Sequence, residues 1–225
     1  MRLSLPRTTS LASRIARAVL GPVKFALGSG YFMSCIKGYA VDGAGRPIPM
    51  YTYPAVDLLI ASKDYFVDKT ILEFGSGQST HWWAQHAKKV IAVEFNETFA
   101  RHMVHELRQL PNAKIIVGEE YRRLVTGYFD VVSIDGYPRI EAAKFIVGKV
   151  AADGFIIVDN SDVKSLHEIC TLLAEAGYYR IDFFGHSPSA YFKQCTSIFF
   201  KDASFFGWSR DVRPVSPRSY TERLV

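Results

Sequence analysis

The most constraining feature of the sequence is a short apolar strand that runs straight into a glycine turn, Ile71-Leu-Glu-Phe-Gly-Ser-Gly-Gln-Ser-Thr80. The run from Lys69 to Phe74 predicts a buried strand, and helical spacing begins again at about Ser79 and continues to Lys88. Gly75-Ser76-Gly77 therefore puts small residues where the chain turns from strand to helix, which leaves room for a ligand against the backbone and the helix N-terminus. A second acid sharpens this reading. Glu94 ends the next strand, Val90 to Glu94, where a carboxylate can accept hydrogen bonds from both hydroxyls of a ribose. Together the loop and Glu94 predict a nucleoside-containing cofactor.

The rest of the pattern fixes the fold class. Strands are predicted at Lys114–Val117, Phe129–Ile134 and Gly154–Val158, with helices at about Glu97–Gln109, Ile140–Val150 and Val163–Ala176. Short apolar strands alternating with helices imply parallel pairing through right-handed crossovers. Arg180–Phe184 and Thr196–Lys201 then follow with no helix between them, which predicts an antiparallel pair at one end of the sheet. The expected architecture is α/β: a Rossmann-like, doubly wound, mostly parallel seven-stranded sheet with an antiparallel last strand. A chain of 225 residues suits one such domain, at residues 51–202 and opening on a helix near Thr52–Ile60. Residues 1–50 form a basic N-terminal extension and residues 203–225 a polar tail in which Pro214 and Pro217 limit regular structure.

Which nucleoside cofactor depends on a missing glycine. Dinucleotide folds add a third glycine to let the helix approach a pyrophosphate, and here that position is Thr80. A Tyr65-x-x-x-Lys69 spacing, used by some nicotinamide reductases, lies before the glycine loop instead of well after it and reads as coincidence. With the terminal antiparallel pair, the pattern resembles the class I S-adenosylmethionine-dependent methyltransferases, in a bacterial branch of that family. The resemblance spans about residues 50–202 and is carried by Ile71–Ala84, Val90–Phe95 and Gly154–Asn160. It implies that Glu73 lies beside the methionine amino group of S-adenosylmethionine, that Gly75, Gly77 and Thr80 line the cofactor and that Glu94 holds the ribose. Glu119 or Glu120, after the third strand, would lie near the adenine amino group.

Open parallel sheets bind ligands beyond the carboxyl ends of their strands, which here brings forward Asp135, Asp159 and Asn160. All three match positions that bind a divalent cation in the metal-dependent O-methyltransferases, which this segment partly resembles. Two carboxylates and an amide oxygen suit Mg²⁺ or another hard divalent cation. The segment departs from that group at Gly136-Tyr137-Pro138-Arg139, where Arg139 is a stand-in for an unaligned basic residue. Two other readings stay open: Asp159 and Asn160 as caps of the following helix, and Asp135 as a catalytic general base without metal. Tyr137, Arg139, His186 and Tyr191 are the expected acceptor contacts. Tyr51, Tyr53, Trp82, Trp83 and Cys195 are further polar or aromatic candidates, with helix–sheet core as the use of at least one tryptophan and a plain strand position for Cys195.

The net charge of +5 comes from one end. Six cations, Arg2, Arg7, Arg14, Arg17, Lys24 and Lys37, precede the first acid, Asp42, so the remainder is close to neutral and lacks a broad nucleic-acid-binding face. Residues 10–27 place Leu11, Ile15, Ala18, Val19, Ala26 and Leu27 near one helical face, with Arg14 and Arg17 off it. This reads as a membrane-surface helix or as one docked on the domain, with a kink expected at Pro22; an organelle transit peptide is a third reading. Lys24 and Lys37 interrupt the best bilayer-length run, and Gly21, Pro22 and Lys24 break the apolar centre of a secretory signal. Three cysteines without metal-type spacing suit a reducing compartment. The expectation is a cytoplasmic S-adenosylmethionine-dependent methyltransferase acting on oxygen of a small-molecule or glycan-like acceptor, with peripheral membrane contact through residues 10–27. The alternatives are an NAD(P)-dependent oxidoreductase and a non-catalytic cofactor-fold protein at a membrane surface.

Overall fold

A computed structural model describes residues 10–206. Seven strands form one sheet in the order β3-β2-β1-β4-β5-β7-β6. They are β1 (Thr70–Phe74), β2 (Lys89–Glu94), β3 (Ala113–Val117), β4 (Phe129–Ile134), β5 (Val150–Asp159), β6 (Tyr179–Gly185) and β7 (Gln194–Phe200). β1 to β5 pair in parallel, and β7 inserts antiparallel between β5 and β6. The sheet order reverses direction between β1 and β4, which opens a crevice at their carboxyl ends.

The helices are α1 (Leu11–Gly28), α2 (Tyr31–Lys37), α3 (Tyr53–Ala61), α4 (Gln78–His86), α5 (Glu97–Glu106), α6 (Tyr121–Leu124), α7 (Arg139–Ile146) and α8 (His167–Glu175). Alternate strand residues supply two cores, as the period of two requires. Ile71, Val90, Val131, Phe155 and Ile157 pack with α3, α4 and Phe66, whereas Leu72, Val93, Val132, Ile156 and Val158 pack with α6, α7 and α8. Trp82 and Trp83 both go into the first core, edge to face with Phe66, and neither walls a ligand site.

Two boundaries differ from the sequence reading. β5 begins at Val150, inside the segment expected to be helical, because α7 ends at Ile146. α8 begins at His167, after a 3₁₀ turn at Lys164–Leu166, instead of at Val163. α1 continues through Pro22, the position where a kink was expected. Losing one backbone hydrogen bond does not end a helix of about five turns whose start is capped by Ser10, which accepts from Ser13 N at 3.3 Å. Cys195 is a buried residue of β7, as expected.

Candidate cofactor and acceptor site

The site grows from the contact of two glycines. Gly75, at φ +96°, sits where a side chain would come within 2.8 Å of Gly136 N, and a side chain on Gly136 would come within 2.5 Å of Gly75 Cα. The turns after β1 and β4 therefore cross backbone on backbone, with Phe74 O accepting from both Asp135 N (3.0 Å) and Gly136 N (2.6 Å). The missing side chain of Gly75 makes room for Gly136, which the sequence marked only as part of the Gly136–Arg139 segment. Gly77 behaves differently. Its backbone is extended, and the space a side chain would fill is open.

Glu73 is fully buried under this turn. Its Oε2 accepts from Thr80 Oγ1, which in turn accepts from Gly77 N at 3.0 Å, so Thr80 locks the turn to the carboxyl group. Thr80 is itself fully buried and acts through Glu73 and Gly77 instead of forming a wall. Glu73 Oε1 has no hydrogen-bond partner among the described residues. Burial pushes the Glu73 pKa up to about 8, against the pull of the Ser79 and Thr80 hydroxyls and with help from the nearby charges of Asp135 and Glu94. Glu94 accepts from Ser76 N (3.1 Å), Ser76 Oγ (2.9 Å) and Asn96 N (2.8 Å), so its carboxylate already faces the glycine loop.

A cavity of about 690 Å³ lies over this loop. Its floor is Ser76–Ser79, its far wall includes Phe99 and His102 of α5, and its roof is the segment between α2 and α3, with Tyr39, Val41, Pro47 and Met50 turned into it. Asp135 lines it as well. Glu119 and Glu120 do not line this cavity. Both are exposed and form ion pairs one turn along, Glu119 with Arg122 at 2.6 Å and Glu120 with Arg123. The sequence held that signal in its two overlapping Glu-x-x-Arg spacings.

The three residues expected to bind a metal are together, but a side chain already occupies the space between them. Arg139 Nη2 donates to Asp135 O, to Asp135 Oδ1 (3.3 Å) and to Asn160 Oδ1 (3.1 Å), while Nη1 donates to Asp159 O at 2.6 Å. The Asp159 carboxylate turns the other way and accepts from Thr196 Oγ1 on β7, which also accepts from Thr52 N at 2.9 Å. Asp135, Asp159 and Asn160 thus do not converge as a cation's donor set; the guanidinium supplies the positive charge, so this donor set does not fit Mg²⁺ or another divalent cation. The capping alternative fails too, because β5 ends at Asp159 and α8 starts only at His167. Burial raises the Asp135 pKa against the pull of Arg139, and burial with the adjacent Asp135 charge pushes Asp159 up to about 8.

Tyr51 lies in the core and does not line the cavity. It is fully buried, its hydroxyl bonds to Ser133 Oγ on β4, and burial with the charges of Glu73 and Asp135 holds its pKa well above the ordinary phenol value. The other expected acceptor contacts scatter. Tyr137 is 74% exposed and meets Phe95 edge-on, beside Glu94, with ring centres 5.2 Å apart. His186 contributes its backbone carbonyl to Tyr53 N, and Tyr191 is 85% exposed; neither lines the cavity. Tyr65 and Lys69 lie at the amino ends of the strands, where Lys69 pairs with Asp130 and Asp153, so their reductase-like spacing has no contact with the site.

No family model and no curated protein matches the chain. Solved structures do. The precorrin-6y C5,15-methyltransferase of Geobacter metallireducens is 14% identical with a TM-score of 0.56, over 75% of this chain and 96% of that one. A SAM-dependent O-methyltransferase of Thermotoga maritima is 15% identical with a TM-score of 0.51, over 68% of this chain and 67% of that one. An N-methyltransferase of Bradyrhizobium japonicum, solved with S-adenosyl-L-homocysteine, is 15% identical with a TM-score of 0.50, over 63% and 82%. The chain therefore has the fold of the class I S-adenosylmethionine-dependent methyltransferases.

Proposed function

We propose that the protein transfers a methyl group from S-adenosylmethionine to an oxygen of a small-molecule or glycan-like acceptor. One observation carries this reading: one cavity is lined both by the open glycine turn at Ser76–Ser79 and by Asp135. Its volume, about 690 Å³, is in the range of small-molecule sites. The residues fit the cofactor. Glu73 Oε1 is a buried acceptor awaiting a donor, which the amino group of the methionine moiety would supply. Gly77 leaves its side-chain space open, and Glu94 would exchange its bonds to Ser76 for ribose hydroxyls.

S-adenosylmethionine, when bound, supplies a methyl group already activated for displacement, so the chain's own task is alignment, exclusion of water and removal of the acceptor proton. Asp135 is the group that takes that proton. Burial makes it a stronger base than a solvated carboxylate, and Arg139 holds it in place and favours its anionic form. The Arg139 guanidinium also offers positive charge next to an acceptor oxygen as it ionises. Transfer of labelled methyl from S-adenosylmethionine to a panel of phenols, sugars and lipid alcohols tests this. Asp135→Asn is expected to lower kcat by roughly 10²- to 10⁴-fold with cofactor affinity nearly unchanged. Wild-type kcat in that variant would remove Asp135 as the base.

A further inference from the structure

α1 is an amphipathic helix facing the wrong way for a helix docked on its own domain. None of its residues is buried, and Leu11, Ile15, Val19, Leu20 and Leu27 are all more than half exposed. At about 100° per residue, Arg14, Arg17 and Lys24 fall on one narrow arc with Ser13, Gly21 and Gly28, and the aliphatic side chains fill the rest of the circumference. Phe25, next to the cationic arc, meets Tyr53 of the domain edge to face at 5.5 Å, and Ala26 beside it is half-buried. The arc of Leu20, Leu27 and Val23 is exposed along its length, each side chain to about half or more. Phe32 and Ile36 of α2 add exposed apolar surface, at 51% and 66%.

The charge selects the partner. α1 and α2 contain no acid, and all six cations of the first 41 residues precede Asp42. An aliphatic arc flanked by cations matches the boundary of an anionic bilayer, with side chains in the acyl edge and guanidinium groups among the phosphates. No single described helix is long and apolar enough to cross a membrane; α1 and α2 reach that length and apolarity only together, across a 59° bend.

This pair is fastened to the roof of the cavity. A side chain at Gly30, φ +82°, would come within 2.1 Å of Val41 O, and one at Gly43 within 2.7 Å of Gly28 O. Ser34 Oγ donates to Val41 O (3.1 Å) and accepts from Val41 N (3.0 Å). The same segment turns Tyr39, Val41 and Pro47 into the cavity. We propose that α1–α2 is a peripheral anchor for an anionic bilayer, fixing the roof of the cavity at the membrane surface.

Sedimentation of the full chain with vesicles of phosphatidylcholine alone, or of phosphatidylcholine mixed with phosphatidylserine, tests the anchor independently of any methyl transfer. Binding is expected only to the mixed vesicles, with release by high salt. Arg14→Glu with Arg17→Glu should lower the partition roughly thirtyfold. Val19→Asp with Val23→Asp should bring it to background, and both variants should keep the wild-type melting temperature because the four substituted side chains are exposed. Equal binding to neutral vesicles, retained binding in the aspartate variant or a lowered melting temperature of that variant would overturn the proposal. So would a vesicle-free dimer that the aspartate variant dissociates, which would assign the arc to a second copy of the chain.

Discussion

Exchanging Glu73 for glutamine is expected to weaken S-adenosylmethionine binding by roughly a hundredfold while the chain stays folded, the cost of removing one partner from a buried charge pair. The reason lies in an unusual carboxyl group: fully buried, bonded through one oxygen to Thr80, and with the other oxygen free of partners among the described residues. With a pKa near 8, Glu73 carries its proton at neutral pH in the free protein. An incoming ammonium favours the carboxylate, so binding at pH 7 should release close to one proton, read as an enthalpy that depends on the buffer's own ionisation heat. Glu73→Gln should release none. The same shift sets the sign of the stability profile. A carboxyl whose pKa rises from 4.5 to about 8 on folding gives the folded state more bound protons between those values, so its contribution is full at low pH and lost as pH rises through about 8. Thermal melts should therefore fall less between pH 5 and pH 8 in Glu73→Gln than in the wild type. Parallel profiles would show that Glu73 is ionised throughout.

The second large effect is expected at Arg139. Arg139→Ala removes the counter-charge from Asp135 and the donors from two backbone carbonyls and Asn160 Oδ1 in one step. Both charged side chains are three-quarters or more covered, so the loss should approach the cost of breaking a buried pair, about 2–4 kcal/mol of stability. The variant also discriminates between the two cations considered for this place. If the guanidinium supplies the charge, Mg²⁺ and chelators should leave wild-type melting and turnover unchanged. Wild-type activity lost to a chelator and restored by Mg²⁺ would instead return Asp135, Asp159 and Asn160 to the role of metal ligands.

The division between what the sequence disclosed and what it hid follows the range of the interactions. β1, β2, β4 and the α4 start were legible because a buried strand and an amphipathic helix write their period locally, and Glu73 and Glu94 follow from strand ends. The lack of a helix between β6 and β7 disclosed the antiparallel end of the sheet for the same reason. The need for a glycine at Gly136 was invisible because it comes from Gly75, a backbone contact between turns distant in the chain. The roof over the cavity was read only as part of a basic N-terminal extension, since its place depends on Ser34 and Gly30 holding Val41. Asp135, Asp159 and Asn160 were found by position, but their chemistry turned on where the Arg139 side chain goes, and spacing does not determine that.

The central claim is that the glycine loop and its two acids hold S-adenosylmethionine. Calorimetric titration of the full chain with S-adenosylmethionine and, separately, with NAD tests it most directly. Saturable one-site binding of S-adenosylmethionine and no heat from NAD is the predicted result. Saturable binding of NAD with none of S-adenosylmethionine would contradict the account.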